Sequence, residues 1–313
     1  MDLQEVSVMV DRNALKQRIR PSIPLREFTT FRLGGAAELF LEVETEAELA
    51  EAVAMAQAEG LPWFLLGGGS NLVVSDNGIG GLVIRNASRD PERFDPARGL
   101  LTISSGRKLG HLVELAAAHG LTGFEPMTGI PGTVGGAIYG NAGAYGRTIS
   151  DLLVTATLLD PATGRIFEAD ASFFEFTYRS SRLKREPHVI LNATFRTTPG
   201  DPVAIRAEMA NILAQRQAKH PPLGVGSAGS FFKNLPPAPG ETRRRPAGEV
   251  LEKAGAKEMS VGGAKVFHKH ANFIVNYGEA TAADVRTLAA KLKEKVFDLF
   301  GITLEEEVLY IGA

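Results

Sequence analysis

The chain has 313 residues, of which 44% are hydrophobic and 22% are charged, and its formal net charge is −2. This composition is typical of a globular protein of one to three domains, and the near-neutral charge argues against a nucleic-acid-binding protein. Cysteine is absent, which excludes disulfides, thiolate catalysis, cysteine-bound zinc and iron–sulfur clusters.

The sequence contains no recognisable targeting or membrane segment. The first ten residues include Asp2 and Glu5 and lack a basic start followed by an apolar run, so they do not resemble a secretory signal. No window approaches the roughly 18 consecutive apolar residues of a membrane helix. We therefore expect a cytoplasmic protein that does not insert into membranes.

The first half of the sequence predicts strand–helix units that lead into glycine-rich loops. Strands are predicted at 38–43, 63–66, 82–84 and 100–104. The first helix begins at a capping box formed by Thr45 and Glu48 and ends at Gly60. A second helix at 108–119 ends at Gly120. Its apolar face is formed by Leu109, Leu112, Val113 and Ala116.

The second half predicts a hairpin followed by separate helices and strands. The hairpin joins 152–159 to 165–168 through the turn 160–164. Further strands are predicted at 189–195, 271–276 and 304–311, and helices at 203–218, at 249–254 and after a cap formed by Thr281 and Asp284. The inward positions of the first and last of these helices are Ile205, Met209, Ile212 and Leu213, and Val285, Leu288, Leu292, Val296 and Leu299. The sum predicts an α+β protein with mixed sheets.

The first glycine-rich loop directly follows the strand predicted at 63–66. Gly67, Gly68 and Gly69 are followed by Ser70 and Asn71. Three glycines allow backbone N–H groups to approach a phosphate closely, and the two polar side chains can add hydrogen bonds. A plain glycine-rich turn explains the same spacing equally well, so these residues alone leave both interpretations open.

The second glycine-rich stretch, at 129–146, contains seven glycines. A run this dense is not expected to form regular secondary structure throughout. A backbone that surrounds a planar or phosphorylated ligand explains it better than a flexible linker does, because a linker would expose Ile130, Val134 and Tyr139 to solvent.

Two other patterns are weaker. Residues 224–229 match G-x-G-x-x-G, but Pro221 and Pro222 precede them where a dinucleotide fingerprint requires a strand, and no helix start follows. His268 and His270 could face a metal from one side of a strand, but no third ligand is indicated, so a structural or substrate-facing role is favoured.

Two charged runs have a simple interpretation as solvated segments. Arg243–Arg245 lies among prolines, and a role in binding phosphate has no support from its neighbours. Glu305–Glu307 interrupts an apolar terminal strand, which favours at least one inward glutamate.

Several longer segments occur together in one order. They are Thr29–Gly35, Gly68–Leu72, Gly129–Ala137, Gly140–Gly143, Tyr178–Ser181, Gly229–Asn234 and Leu304–Val308. On these segments the chain resembles the UDP-N-acetylenolpyruvoylglucosamine reductase family over nearly its whole length. The short interval between Arg179 and Ser230 resembles the shorter class of that family, which lacks an additional tyrosine-bearing loop.

The resemblance implies an α+β fold with a two-lobed FAD-binding domain of the vanillyl-alcohol-oxidase (PCMH) type and a C-terminal α+β substrate-binding domain. The expected first lobe is 1–85, joined by a terminal strand at 303–313, and the second is 86–200, so that the flavin domain spans about 34–199. The substrate-binding domain is expected at 201–302.

The resemblance also assigns roles to individual residues. Ser230 corresponds to the proton donor, Arg179 and Glu307 to the groups that stabilise the reacting enolpyruvyl unit, and Lys219 and Asn234 to contacts with UDP. The expected flavin-binding residues are Gly67, Gly68, Gly69, Ser70, Asn71, Leu72, Gly129, Ile130, Pro131, Gly132, Thr133, Gly135, Gly136, Ala137, Asn141 and Gly143. No metal is expected.

The implied reaction is reduction of UDP-N-acetylglucosamine enolpyruvate by NADPH through noncovalent FAD, in a monomeric enzyme. Glu307 could stabilise the enolate only if it were protonated or bridged by a cation or water, so a raised pKa for Glu307 is expected. Two alternatives remain open on the sequence, a flavin oxidase that uses oxygen and a nonenzymatic nucleotide-sugar-binding module.

Overall fold

The computed structural model describes residues 10–238 and 240–312, and these residues form helices and short strands in mixed order. The helices are α1 (Arg12–Gln17), α2 (Glu46–Ala58), α3 (Leu109–Ala118), α4 (Val134–Tyr139), α5 (Pro202–Lys219), α6 (Ala247–Lys253) and α7 (Ala282–Phe300).

The strands of the first half are β1 (Arg20–Pro24), β2 (Ala36–Val43), β3 (Trp63–Leu66), β4 (Leu72–Val74), β5 (Ile79–Asn86), β6 (Arg93–Asp95), β7 (Leu100–Ser104), β8 (Leu121–Thr122), β9 (Gly143–Ala144) and β10 (Arg147–Thr148). Those of the second half are β11 (Leu153–Leu159), β12 (Ile166–Asp170), β13 (Val189–Arg196), β14 (Thr198–Pro199), β15 (Gly226–Ser227), β16 (Ser260–Val261), β17 (Ala264–Val266), β18 (Ile274–Asn276) and β19 (Leu309–Ile311). None of the helices in 10–238 and 240–312 is both long and apolar enough to cross a membrane.

The chain divides into two compact units. The first unit takes in Met1–Ser22, Glu38–Gly68 and Gly81–Ala214, and the second unit takes in Ile23–Ala37, Gly69–Gly80 and Gln215–Ala313. The boundary therefore crosses the first glycine-rich loop after Gly68 and crosses helix α5 after Ala214.

The first unit is built around a five-stranded antiparallel sheet in the order β12-β11-β13-β7-β6. Its strand β13 is buried on both faces, and a register shift where it pairs with Thr157 and Leu158 of β11 interrupts the alternation of its side chains. Ile190 and Phe195 pack in a core with α3 and α4, whereas Val189 and Leu191 pack in a second core with α2. A second sheet, in the order β1-β2-β5-β3, contains the parallel pair β3 and β5, with Trp63 opposite Leu82.

The second unit has a four-stranded antiparallel sheet in the order β15-β18-β17-β16. Helix α7 contributes a buried stripe to the core of this unit, formed by Val285, Leu288, Ala289, Leu292 and Val296. A separate parallel pair joins β19 to β4, with Leu309 opposite Leu72.

Several sequence predictions are confirmed. Strands β3 and β7 have the predicted bounds, β11 and β12 form the predicted antiparallel hairpin, and α3 buries the predicted face. The cap of α7 is the predicted capping box, in which Thr281 and Asp284 bond reciprocally.

Other predictions are wrong in detail. At α2, Thr45 accepts the N–H of Glu48 at 3.1 Å, but the Glu48 carboxylate accepts the N–H of Glu44 at 2.8 Å, so the box is not reciprocal with Thr45. Leu213 and Leu299 are exposed rather than inward. Leu213 lies beside the stripe formed by Met209 and Ile212, and Leu299 follows the last buried residue of α7.

The strands predicted at 271–276 and 304–311 are shorter than expected, because part of each segment makes backbone hydrogen bonds outside the predicted strand. Residues 305–307 pair with 231–233 through an isolated bridge between Phe232 and Glu306, and only Leu309–Ile311 joins β4. Residues 267–273 form a turn closed by the N–H of Phe267 and the C=O of Phe273 at 2.8 Å, so β18 begins at Ile274.

Candidate active site

Within the first unit, the two glycine-rich stretches lie in direct contact. A Cβ atom on Gly68 would lie 2.7 Å from Cα of Gly132, and one on Gly67 would lie 2.8 Å from Oγ1 of Thr133. Only a residue without a side chain fits at such distances. The sequence identified both stretches separately but did not show that they meet.

The second stretch contains the short helix α4, so it is more regular than expected. Oγ1 of Thr133 caps the helix by accepting the N–H of Gly136 at 3.3 Å, and the N–H of Gly135 donates to the C=O of Ser105 at 2.8 Å. A Cβ on Gly135 would lie 3.0 Å from Cβ of Ser105, whereas one on Gly136 would meet only Oγ1 of Thr133, at 3.4 Å. Packing against Ser105 therefore explains why residue 135 is a glycine, whereas no comparable contact explains the glycine at 136.

Arg179 occupies a tight turn in the first unit, between Thr177 and Ser180, whose backbone N–H and C=O groups bond reciprocally. Arg179 has φ of 55°, in the left-handed region. This conformation is unfavourable for a residue with a long side chain and costs about 1–3 kcal/mol. The Nδ2 atom of Asn141 donates to the C=O of Thr177 at 3.0 Å, and Lys184 donates to the C=O of Arg179 at 2.7 Å. These bonds hold the turn in its strained form.

Two buried polar atoms flank helix α4, one just before the second glycine-rich stretch and one within it. Oγ1 of Thr128 and Oδ1 of Asn141 make no hydrogen bond to the described residues. Buried polar atoms are almost always hydrogen-bonded in native proteins, so unsatisfied ones call for a specific explanation. A polar ligand beside this stretch supplies one.

In the second unit, the segment that carries Ser230 is tied to the segment that carries Glu307. The N–H of Glu307 donates to the C=O of Phe231 at 2.8 Å, and the N–H of Lys233 donates to the C=O of Glu305 at 2.8 Å. The amide Nδ2 of Asn71 holds the C=O of Glu307 at 3.0 Å. These bonds place the two predicted catalytic residues of the second unit on neighbouring segments.

The three glutamates of the terminal run have different surroundings. Glu305 is exposed and forms an ion pair with Lys233. Glu306 and Glu307 are half-buried, and Glu306 lies 3.4 Å from the ammonium of Lys293. The prediction of at least one inward glutamate therefore holds only in part, since Glu306 and Glu307 are half-buried and neither is fully buried.

The remaining part of the first glycine-rich loop belongs to the second unit. Gly69 has φ of +60°, and a Cβ there would lie 2.2 Å from the C=O oxygen of Phe28. The N–H of Leu309 donates to the C=O of Asn71 at 3.0 Å, which leads the chain from this loop into the parallel pair of β4 and β19.

The two predicted UDP contacts both lie in the second unit. Lys219 is the exposed last residue of α5. The Oδ1 atom of Asn234 accepts the N–H of Ala247 at 3.2 Å, so this residue also fixes the start of α6. The guanidinium of Arg244 donates to the C=O of Asn234 at 3.0 Å and is half-buried, which corrects the interpretation of Arg243–Arg245 as a wholly solvated loop.

His268 and His270 do not share one face of a strand, because they lie in the turn before β18, with His268 exposed and His270 half-buried. His270 instead lies beside His220 and Phe273, with ring centroids 6.1 and 5.0 Å away. Burial, followed by the charge of Arg216, lowers the pKa of His220 to about 4. Within residues 10–238 and 240–312 no cluster of three or more potential metal ligands occurs. Sequence reasoning did not identify His220, because a single histidine at a helix end carries no pattern.

Comparison with known proteins decides the family. A family model described as "UDP-N-acetylenolpyruvoylglucosamine reductase, C-terminal domain" matches residues 221–311, and a model described as "FAD binding domain" matches 37–170. A UDP-N-acetylenolpyruvoylglucosamine reductase of Synechococcus sp. (strain RCC307) is 38% identical over 295 residues, which are 94% of each chain. The chain belongs to the UDP-N-acetylenolpyruvoylglucosamine reductase family.

Other members of this reductase family agree over the same extent. The reductase of Solibacter usitatus (strain Ellin6076) is 40% identical over 94% of this chain and 97% of its own. The crystal structure of the reductase from Thermus caldophilus superposes with a TM-score of 0.77 at 31% identity, covering 94% of this chain and all of that one. The predicted fold class, a FAD-binding domain followed by a C-terminal α+β domain, is confirmed, and the chain is an oxidoreductase.

The residues of the first unit fit FAD. The matched FAD-binding domain, 37–170, contains both glycine-rich stretches. The close backbone approach at Gly68 and Gly132 suits a bound phosphate, and the unsatisfied oxygens of Thr128 and Asn141 suit polar groups of the flavin. FAD is therefore the cofactor of this reductase.

Proposed function

We propose that this reductase converts UDP-N-acetylglucosamine enolpyruvate to UDP-N-acetylmuramate, with NADPH as the hydride donor, as a step toward peptidoglycan in the cytoplasm. The observation that carries the proposal is the match to named reductases over 94% of the chain, combined with a strained arginine turn on the flavin-binding unit. Backbone strain of this kind concentrates at functional sites.

FAD, when bound, supplies a carrier that accepts hydride from NADPH and passes it to the vinyl group of the substrate. Negative charge then develops on the carbon next to the carboxylate and must be stabilised where it develops. Arg179 performs this role, because its guanidinium is permanently charged and can bond a carboxylate through two donors. The hydrogen bonds that hold its turn fix the backbone from which the side chain projects.

Ser230 donates the proton that completes the reduction. A serine hydroxyl is a weak acid, but an enolate is basic enough to take its proton when the geometry is fixed. The neighbouring Glu307 contributes as a protonated or bridged carboxyl, since a bare carboxylate would repel the enolate. Its backbone bonds to Phe231 and Asn71 support a fixed position relative to the segment of Ser230.

Binding of the nucleotide falls to the second unit. Lys219 contacts the diphosphate as an exposed cation at the end of α5. Asn234 contacts the UDP moiety beside α6, whose first N–H its Oδ1 already holds. We propose that the enzyme acts as a monomer.

One spectroscopic experiment tests the proposal. The purified protein should be yellow, NADPH should bleach it without oxygen, and the enolpyruvyl substrate should restore the colour. Denaturation should release intact FAD. A colourless protein that binds the UDP sugar would support a binding module instead, and faster reoxidation by air than by the substrate would support an oxidase.

A further inference from the structure

Asn272 is a buried polar residue to which the reaction outlined above assigns no role. It is 3% exposed. Its Nδ2 donates to the C=O of Phe232 at 2.8 Å, its Oδ1 accepts the N–H of Phe232 at 2.9 Å, and its backbone C=O accepts the N–H of Phe231 at 2.8 Å. The side chain therefore bonds the main chain of this segment as a neighbouring strand would.

The segment held by Asn272 links the two predicted catalytic residues of the second unit. Ser230 directly precedes Phe231, whose C=O accepts the N–H of Glu307. With this bond, the backbone N–H and C=O groups of both Phe231 and Phe232 are all satisfied, and three of the four bonds end at Asn272. Both phenylalanines are fully buried, so little room remains for the segment to shift.

We propose that Asn272 is a positioning residue for the protonation step. It fixes the main chain that directly follows Ser230 and that accepts a hydrogen bond from the backbone N–H of Glu307. This inference rests on the proposed function, because it assumes that Ser230 delivers a proton to the substrate. A purely structural role for Asn272 would lower stability without separating the two half-reactions of the enzyme.

His270 in turn forms a hydrogen bond with the backbone of Asn272. Its Nδ1 accepts the N–H of Asn272 at 3.2 Å, so that nitrogen must be unprotonated. Burial, followed by the charge of Lys219, lowers the pKa of His270, which favours the neutral ring. Helix α6 carries Gly248 against this ring, and a Cβ there would lie 3.0 Å from Cε1 of His270. A glycine inside a helix is unfavourable, and the close ring accounts for its presence.

The test compares the two half-reactions in single turnovers of the FAD-loaded enzyme. Misplacing a reacting group by about 1 Å can cost about 10²-fold in rate. We expect Asn272→Ala to slow reoxidation by the enolpyruvyl substrate about 10²-fold, while reduction by NADPH stays within about threefold of the wild type. The control is Val285→Ala, which removes fully buried apolar atoms from the core of the same unit and lowers stability without changing Asn272.

Asn272→Asp gives a readout that a structural role does not predict. The ionised carboxylate still accepts the N–H of Phe232, but its second oxygen faces the C=O of that residue. Protonation restores a donor, and burial raises the pKa of a carboxyl. Reoxidation by Asn272→Asp, relative to wild type, should therefore recover as pH falls from about 8 to about 6, and Asn272→Ala should show no recovery. The turn that contains Asn272 also carries the titratable or charged residues His268, Lys269 and His270. Those near it or on the segments bonded to it are His220, Lys219, Arg216, Glu252, Lys257, Lys233, Lys293, Glu305, Glu306 and Glu307.

The outcomes separate this inference from the proposed function. If reduced wild-type enzyme is not reoxidised by the enolpyruvyl substrate, the proposed function fails and the positioning role fails with it. If the wild type is reoxidised but Asn272→Ala slows both half-reactions together, as Val285→Ala does, only the positioning role is overturned. If Asn272→Ala does not fold, the positioning role is tested with Asn272→Asp and with Gly248→Ala, whose added methyl group would displace His270. Absence of a selective loss of reoxidation in both would overturn the inference.

Discussion

Gly136 offers a way to separate flavin binding from folding. It is the third residue of α4, and an added Cβ would meet only Oγ1 of Thr133, at 3.4 Å. Replacing glycine by alanine in a helix gains about 0.5–1 kcal/mol, so Gly136→Ala should leave the apoprotein as stable as the wild type or more stable. The same methyl group would lie where the backbone is proposed to approach FAD. An overpacked contact costs about 1–3 kcal/mol, which corresponds to roughly a 5- to 150-fold weaker Kd for FAD.

The matched control is Gly110→Ala, because Gly110 lies in the first turn of α3 and a Cβ there has no atom within 4 Å. Both variants should keep or raise the thermal midpoint of the apoprotein, and only Gly136→Ala should lose flavin, as titration of apoprotein with FAD would show. A third variant, Gly135→Ala, should lower the midpoint because its Cβ would lie 3.0 Å from Cβ of Ser105. If Gly136→Ala binds FAD as tightly as Gly110→Ala, the placement of flavin against α4 is wrong.

Three further predictions concern the second unit. Ser230→Ala should slow reoxidation by the enolpyruvyl substrate about 10²–10⁴-fold without affecting reduction by NADPH, and a near-normal reoxidation rate would remove Ser230 as the proton donor. Lys219→Ala should raise KM for the UDP substrate alone, and equal losses in both half-reactions would place Lys219 outside the nucleotide site. Burial, followed by the charge of Arg216, lowers the pKa of His220 to about 4, below its unfolded value of about 6.5, so the unfolded chain binds more protons between these values and stability falls as pH decreases from about 6.5 to about 4. His220→Gln should flatten this dependence in denaturation midpoints, and an unchanged slope would contradict the cause given.

The sequence predicted best those features that local chemistry controls. The turn at Asp160 is closed by that residue's own carboxylate, which accepts the N–H of Ala162 at 2.9 Å, and the hairpin follows from it. The cap of α7 is likewise a bond between residues three apart in sequence. Helical periodicity located α5 but misplaced Leu213, because the width of a buried stripe depends on the surface that packs against it.

Features that depend on distant segments were not predictable by local rules. Nothing at Gly68 shows that Gly132 will lie within 2.7 Å of its missing Cβ. Residues 304–311 have the composition of one strand, yet they pair first with 231–233 and then with β4. Asn272 lies in an apolar run that predicts a strand, and only the tertiary structure reveals that its amide replaces strand pairing.

Arg179 shows why a local conflict is informative about function. A left-handed position in a two-residue turn favours glycine, or asparagine, whose short side chain tolerates it. Asn141 in the same unit is such a case, with φ of 45°. An arginine with φ of 55° gains nothing locally, and its turn is maintained by bonds from Asn141 and Lys184. Sequences break their local preferences mainly at functional or strained sites. Ser22, Arg32, Tyr145 and Glu175 also have positive φ, so the strain at Arg179 agrees with the role that the resemblance assigns to it but does not single it out.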